Sequence, residues 1–235
     1  MQVQSNPTAV DANRGLDCRE DRIFRDLSSE ALTRLESINV YHRRAVLFAQ
    51  DETPQGVFLL RRGRVKLTAR SEGGKSVILR IAGPGEVLGL SSVLSGVPFD
   101  ATAEVAEPSE LSFVKSEDLL RYLGEHADAC IRVAQELARD CHIANEQIRT
   151  MCLSSSMAAR FAKFILASAT RANRPERAAG FQLTLTHGEI AKLIGASRET
   201  VTRLFSDLER KRLIERRGTL LAIRKRARLE ELARS

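Results

Sequence analysis

The sequence predicts an α+β chain in which a β-roll is followed by a long helix and then by a winged helix-turn-helix. Three observations carry this prediction. Between about residues 40 and 114, short β-rich segments alternate with turns; between residues 130 and 151, apolar side chains recur at heptad spacing; beyond residue 186, two short helical segments precede a β-hairpin pattern. The implied divisions are a flexible tail over 1–20, a roll over 21–115, a helix over 116–153 and a C-terminal unit over 154–235.

The positive charge is concentrated in the last third of the chain. The net charge is +7, but residues 154–235 hold 18 Lys and Arg against 8 Asp and Glu, whereas residues 1–153 hold 19 against 22. Concentrated positive charge attracts nucleic-acid phosphates through counterion release, so we expect this third to bind a polyanion. A solvated basic surface is the alternative that charge alone leaves open.

Several classes of protein are disfavoured by what the sequence lacks. No run of about 18 apolar residues occurs, and residues 1–20 carry acidic side chains without an apolar segment, so we expect a cytoplasmic protein that does not enter a membrane. No nucleophile–base pair, phosphate loop or cluster of metal ligands is recognisable, so we expect neither an enzyme nor a metal site. The four cysteines form no CxxC pair, which argues against structural zinc or a disulfide framework.

In the N-terminal half, the spacing of apolar residues changes from helical to strand-like. Leu32, Leu35 and Ile38 recur at helical spacing after a capping serine and predict a short helix. Beyond it, the run 57–60 is followed by Gly63, which we read as a turn, and the segment 64–68 alternates with period two. Further turn signals follow at 72–75, 83–85 and 96–98.

The predicted long helix carries a narrow apolar stripe. From Cys130 to Met151 the apolar positions advance alternately by four and three residues, which is an a/d heptad seam and favours self-association. Packing of the stripe against the chain's own roll is the alternative. Ser154–Ser156 then interrupt the apolar run and predict a hinge. The residues that we assign to the dimer seam are Ala134, Leu137, Cys141, Ala144 and Ile148.

The C-terminal unit begins with a helix from about Met157 and contains a helix-turn-helix pattern. Thr186 and Glu189 form a capping box at the start of one helix, and Gly195 favours the left-handed conformation that ends it. Ser197 is placed to cap the next helix, over residues 198–208.

The second of these helices has two distinct faces. Its apolar residues share one side, and Arg198, Glu199, Thr202 and Arg203 share the other. Arginine donates two parallel hydrogen bonds to guanine and glutamate accepts from cytosine, so this face is suited to the major groove. A hairpin follows, whose Arg216 and Arg217 are candidate phosphate contacts. The candidate DNA-binding residues are therefore Thr186, Ser197, Arg198, Glu199, Thr202, Arg203, Arg216 and Arg217.

The segment from Ile190 to Arg203, with its Gly-Ala-Ser-Arg-Glu-Thr-Val core, closely resembles the recognition motif of the cyclic-AMP receptor protein and fumarate-nitrate-reduction regulator superfamily. The resemblance extends over about residues 22–225 and includes the roll segment 85–89. It implies a cyclic-nucleotide-binding-like roll, a dimerisation helix and a homodimer on a palindromic site similar to TGTGA. It further implies that Arg198, Glu199 and Arg203 read base edges and that Thr186 contacts phosphate.

The resemblance fails at the effector pocket. Members that bind cyclic AMP have a glutamate where this chain has Leu90, an Arg-Ser pair near Phe99 and Asp100, and Thr-Ser at Asn145 and Glu146. A phosphate without a nearby cation is poorly satisfied, so we expect that cyclic AMP does not bind in the usual way. No cofactor is predicted, and we expect control by an unidentified small-molecule effector other than cyclic AMP. The candidate effector pocket comprises Gly89, Leu90, Phe99, Asp100, Asn145 and Glu146.

Other sensing chemistries have weaker support. Cys130, Cys141 and Cys152 are eleven residues apart, so neighbours on one helix lie about 16 Å apart and cannot share an iron–sulfur cluster within a subunit. A redox role for Cys141 facing its mate across a dimer stays open, as does haem ligation by His42 or His126.

Taken together, the residues predict a DNA-binding transcription regulator, with double-stranded DNA and a second copy of the chain as partners. By resemblance, the loop Thr170–Arg177 is a candidate contact for RNA polymerase. A regulator that needs no effector is the alternative within this class. A ligand-binding regulatory module without DNA readout is the alternative outside it. The sequence identifies neither the effector, the target genes nor the sign of regulation.

Overall fold

Two long antiparallel strands, β3 (Gly56–Arg70) and β6 (Thr102–Lys115), form the spine of the roll. The computed structural model describes residues 37–153, 156–171 and 180–234. Within that part, β1 and β2 pair with β6, while β4 and β5 pair with β3, all antiparallel. Their bounds are β1 Ser37–Tyr41, β2 Val46–Phe48, β4 Ser76–Ala82 and β5 Val87–Leu88.

Two local predictions for the roll are wrong. Gly63 does not end a strand, because β3 continues through it at a φ of 93°, where the register with β6 shifts. A Cβ at Gly63 would lie 2.1 Å from the Ser109 hydroxyl oxygen, so only glycine fits this bulge. Ile38 belongs to β1 rather than to a helix, since its backbone pairs with Ser112 of β6. The tail over 1–20 and the rest of the predicted N-terminal helix lie outside the described residues.

The range 116–153, predicted as a single helix, holds two. α2 (Ser116–Glu125) ends at His126, whose extended backbone separates it from α3 (Ala127–Leu153); the shorter α1 (Leu90–Ser95) precedes both. One face of α2 and α3 packs on the roll through Leu119, Tyr122 and Val133. The long helix is therefore anchored along its N-terminal half to its own subunit.

Most of the predicted seam on α3 points away from the roll. Ala134, Cys141, Ala144 and Ile148 are exposed, and Ile148 retains 59% of its accessible surface. Leu137 differs, because it is half-buried against the roll cluster. A mainly uncovered apolar stripe of this kind fits the self-association prediction better than the alternative of packing on its own domain.

The C-terminal unit has a separate core of helices around a small sheet. α4 (Met157–Arg171) begins where the Ser156 hydroxyl accepts from the Ala159 amide at 3.1 Å. The core gathers fully buried side chains that include Phe161, Phe205 and Leu229. The remaining elements are β7 Phe181–Gln182, α5 His187–Ile194, α6 Arg198–Arg210, β8 Ile214–Arg217, β9 Leu220–Ile223 and α7 Arg226–Arg234.

The helix α7 was not predicted from the sequence, although Leu229 and Ala233 show the helical spacing that buries them against α4. Residues 154–155 of the predicted hinge and residues 172–177 of the predicted polymerase-contacting loop lie outside the described residues. Among the helices that the structure describes, none combines the length and the apolar character needed to cross a membrane.

Candidate DNA-binding interface

Side-chain caps and a glycine turn set the geometry of the two helices α5 and α6. The Thr186 hydroxyl accepts from the Glu189 amide at 3.2 Å, and the Glu189 carboxylate accepts from the Thr186 amide at 2.9 Å, which completes the capping box. Gly195 ends α5 at a φ of 68°, and the Ser197 hydroxyl caps α6 by accepting from the Thr200 amide at 3.1 Å. The predicted helix-turn-helix is confirmed in each of these details.

The two faces of α6 separate as predicted. Val201, Phe205 and Leu208 are buried in the C-terminal core. Six polar residues lie on the opposite, exposed side; they are Ser197, Arg198, Glu199, Thr202, Arg203 and Ser206. A single helix thus presents an uninterrupted polar face, led by two arginines, with the dimensions that a major groove admits.

Glu199 is ionised on this face. Hydrogen bonds from its own backbone amide and from the Ser197 hydroxyl lower its pKa, and the charges of Arg198 and Arg203 act in the same direction. An ionised carboxylate only accepts hydrogen bonds, which suits it to the exposed amino group of cytosine.

The hairpin β8–β9 forms the wing, and its two arginines differ in their surroundings. Arg217 is highly exposed and pairs with Glu215 of the same strand through two guanidinium nitrogens, at 2.9 and 3.0 Å. Arg216 is held by several neighbours, including Glu209 of α6 at 3.4 Å. Arg217 therefore projects into solvent from the wing, whereas Arg216 is fixed relative to α6.

His187 is a residue at this interface that the sequence analysis missed. Its ring stacks on Phe205 with centroids 4.8 Å apart, and its Nδ1 lies 2.8 Å from the Thr202 hydroxyl. Its Nε2 lies 2.9 Å from a guanidinium nitrogen of Arg216. Burial lowers the pKa of His187, and Arg216 and Arg198 lower it further. The position of His187 in the first turn of α5 was the available signal, since that turn packs against Thr202 and Phe205 of the recognition helix.

The roll contacts the DNA-binding unit beside the same capping box. Lys66 of β3 lies 3.1 Å from the Glu104 carboxylate and 3.3 Å from that of Glu189, and α5 packs against β4. Burial opposes ionisation of Glu189, but hydrogen bonds from Thr186 and Lys66 outweigh it and lower the pKa. The residue that closes the cap of α5 is thus also paired with the roll.

The predicted effector-pocket residues occupy different environments. Leu90 packs in the cluster that joins the roll to α3, and Phe99 stacks on Phe48 in the other roll cluster, with centroids 3.9 Å apart. Gly89 lies beside Phe99, since an added Cβ would come within 2.8 Å of that ring. Asp100, Asn145 and Glu146 are exposed. Whether these six residues form a pocket therefore stays a prediction.

The cysteines and histidines of the described residues form no cluster with acidic side chains that could hold a metal ion. The Cys130 thiol donates to the Leu123 carbonyl at 3.1 Å, whereas Cys141 is exposed on the seam and lies 3.7 Å from the Asn145 amide. His126 is bound to the Tyr122 carbonyl through Nδ1 at 2.9 Å. The redox and haem alternatives stay untested predictions.

A β-roll joined to a helix-turn-helix with an arginine-led exposed face and a wing defines a DNA-binding transcription regulator. Comparison with known proteins agrees with this class, because residues 38–126 match the cyclic nucleotide-binding domain family and residues 159–232 match the Crp-like helix-turn-helix domain family. The chain belongs to the cyclic-AMP receptor protein and fumarate-nitrate-reduction regulator superfamily.

Curated relatives in this superfamily are transcription regulators. The chain is 25% identical over 190 residues to the cAMP-activated global transcriptional regulator CRP of Salmonella typhimurium, with 79% of this chain and 89% of the relative covered. It is 28% identical over 207 residues to the global nitrogen regulator of a Synechocystis species, with 87% and 88% covered.

Solved structures share the fold. FixK2 from Bradyrhizobium japonicum superposes with a TM-score of 0.75 at 22% identity, covering 84% of this chain and 96% of FixK2. A CooA mutant from Carboxydothermus hydrogenoformans gives 0.73 at 19% identity, covering 92% and 97%. The structural likeness confirms the predicted fold class, and the family matches and curated relatives confirm the predicted class of function.

Proposed function

We propose that the chain regulates transcription as a homodimer that reads a palindromic site through Arg198, Glu199 and Arg203, and that an effector other than cyclic AMP controls it. The observation that carries the DNA readout is the continuous exposed face of α6, opposite a fully buried apolar face. Palindromic recognition requires two such helices about 34 Å apart, which a symmetric dimer supplies.

The DNA readout is tested by binding to a TGTGA-N6-TCACA duplex and to a scrambled duplex at one fixed salt concentration. Arg203→Ala is expected to lose roughly 1–3 kcal/mol of discrimination between the two duplexes and to keep its fold. Arg210→Ala is the matched control, since Arg210 lies on the same helix but pairs with Asp207 at 2.6 Å. Equal loss of discrimination in both variants would contradict the assignment.

The dimer is supported by the exposed seam of α3. Ile148 is the largest uncovered apolar side chain in it, and the small residues Ala134 and Ala144 allow close approach of a second helix. Ile148→Glu is expected to shift the chain to a monomer in sedimentation velocity. Gln135→Glu adds the same charge on another face of α3 and is expected to leave the dimer intact.

The proposal of an effector other than cyclic AMP is supported by the charges near β4. Arg80 already pairs with the Glu86 carboxylate and with Asp140 of α3, at 3.4 Å in the second case. Burial raises the pKa of Asp140, although Arg80 counteracts this. A cyclic phosphate would have to compete with two carboxylates for this guanidinium. Titration calorimetry is expected to show no binding of cyclic AMP, and micromolar binding would overturn this proposal.

Contacts of the β3–β4 hairpin support a mechanism by which a conformational change in the roll alters DNA binding. Gln147 of α3 donates to the Leu79 carbonyl on β4, and α5 packs on the same strand. An effector that displaces this hairpin would therefore act on both the seam helix and the DNA-reading helices. Tight, selective binding of the unliganded chain to the target duplex would favour the alternative of a regulator that needs no effector.

The polymerase-contacting loop stays a prediction by resemblance, because most of residues 170–177 lie outside the described residues.

A further inference from the structure

The wing and the recognition helix are joined by one side chain that was not among the predicted DNA contacts. His187, the first residue of α5, lies between Thr202 of α6 and Arg216 of β8 and bonds to both. We propose that His187 is a positioning residue for DNA binding, whose neutral ring holds Arg216 in place for a backbone phosphate. This inference rests on the proposed DNA interface and adds a residue and a protonation state to it.

The hydrogen bonds define which ring nitrogen carries the proton. The Thr202 hydroxyl donates to the Arg198 carbonyl at 3.0 Å, so toward His187 its oxygen accepts. Nδ1 of His187 therefore donates to Thr202. Arginine has no acceptor, so its guanidinium donates and Nε2 must be the acceptor at 2.9 Å. The arrangement requires a neutral imidazole with its proton on Nδ1.

Ring stacking and an ion pair fix the rest of Arg216. Its guanidinium carbon lies 4.7 Å from the centre of the Phe205 ring, on which His187 also stacks with planes 18° apart. Glu209 of α6 approaches the Arg216 Nε at 3.4 Å. Arg216 is thus tied to α6 through an aromatic ring, a carboxylate and an imidazole, although a third of its side chain stays exposed for a ligand.

Protonation of His187 removes one of these ties. A proton on Nε2 would face the Arg216 guanidinium, so the acceptor would become a second cation. The charged groups that face the ring are Arg216 of β8 and Arg198 and Glu209 of α6. Burial and the two arginines disfavour the charged ring, while Glu209 favours it less strongly. The neutral form is therefore the one that the surroundings support near neutral pH.

A double-mutant cycle tests the positioning role. Near 0.1 M salt, loss of one phosphate contact weakens DNA binding about eightfold and lowers the salt slope by about one. We expect Arg216→Ala to do this equally for the target and scrambled duplexes. His187→Phe, which keeps a ring over Phe205, is expected to match it, and the double variant to be no weaker than Arg216→Ala alone.

Arg217→Ala provides the control background, since Arg217 pairs with Glu215 and not with His187. In that background His187→Phe is expected to keep its full effect. Additive losses for His187→Phe and Arg216→Ala would overturn the positioning role, because His187 would then contact DNA by itself. No loss for Arg216→Ala would refute the wing contact, while Arg203→Ala separately reports on the recognition helix.

A spectroscopic measurement separates positioning from simple packing. In long-range ¹H–¹⁵N spectra of the free dimer, His187 is expected to show a proton on Nδ1 and none on Nε2. Arg216→Ala is expected to raise the pKa of His187, because it removes a neighbouring positive charge. A proton on Nε2 at pH 7.5, or an unchanged pKa in Arg216→Ala, would overturn the proposal even if both variants fold normally.

Discussion

Replacement of Phe205 by leucine is expected to lower both the stability of the C-terminal unit and its affinity for DNA. Phe205 is 1% exposed and meets Phe161 edge-on, with centroids 4.7 Å apart at 81°. Its other faces carry His187 and the Arg216 guanidinium. Leucine keeps an apolar side chain there but loses an aromatic pair of about 1 kcal/mol and a cation–π contact of about 0.5–1 kcal/mol.

With the residual cavity, the total loss is about 2–3 kcal/mol. For a unit the size of residues 156–234, this corresponds to a fall in Tm of roughly 10–20 °C, which scanning calorimetry would measure. DNA affinity is then compared at a temperature where the variant is still folded. There we expect Phe205→Leu to bind target and scrambled duplexes several-fold more weakly, since Arg216 is no longer held.

Val201→Ala is the matched control. Val201 is fully buried on the same helix, and its truncation is expected to lower stability by about 2 kcal/mol without touching the wing. We therefore expect a lower Tm but unchanged DNA affinity below it. If both variants lose the same affinity while folded, stability alone explains the effect, and the reasoning that Phe205 supports the DNA-facing surface is refuted.

Three further predictions concern the junction and two glycines. Glu189 has a lowered pKa in the folded chain, so its stabilising contribution is complete above the ordinary glutamate pKa and is lost as the pH falls through the lowered value. Lys66→Ala should cost about 1 kcal/mol at pH 7 in urea unfolding, and the difference from the natural chain should shrink in acid; a constant difference would contradict this. Gly195→Ala should lower the free energy of unfolding by about 1–2 kcal/mol, because alanine disfavours the left-handed φ of 68°. The cost should be no larger than this, since an added Cβ would meet nothing closer than 3.6 Å. Gly63→Ala should cost more than Gly195→Ala in the same assay, since its Cβ would also collide with Ser109 at 2.1 Å; the reverse order would refute the bulge argument.

The DNA-reading elements could be predicted from sequence because their signals are local. Thr186 with Glu189, Gly195 and Ser197 each act within four residues along the chain, and a polar face on α6 follows from helical period alone. The structure confirms all of these features. Local signals misled only where a tertiary contact decided the outcome, as at Gly63, whose φ of 93° serves a bulge against Ser109 rather than a turn.

The long helix shows where periodicity was incomplete as a guide. The seam pattern predicted the exposed stripe, but Leu137 of that pattern packs on the roll, and the buried Val133 lies outside it. One helix surface thus serves two partners, its own roll and the proposed second copy. The spacing of apolar residues cannot tell which positions pack on the roll and which face a second copy, because either contact requires apolar side chains at the same helical spacing.

The junction residues were not predictable for a different reason. Lys66 and Glu189 are 123 positions apart in the sequence, and His187 and Arg216 are 29 apart. No local sequence pattern therefore predicts either contact. Yet both contacts involve the first turn of α5. Glu189 joins that turn to the roll, and His187 joins it to the wing, while Thr202 ties it to α6. A displacement of the roll can therefore act on both the recognition helix and the wing through the first turn of α5. The three contacts of this turn can be removed one at a time by substituting Lys66, Thr202 or Arg216.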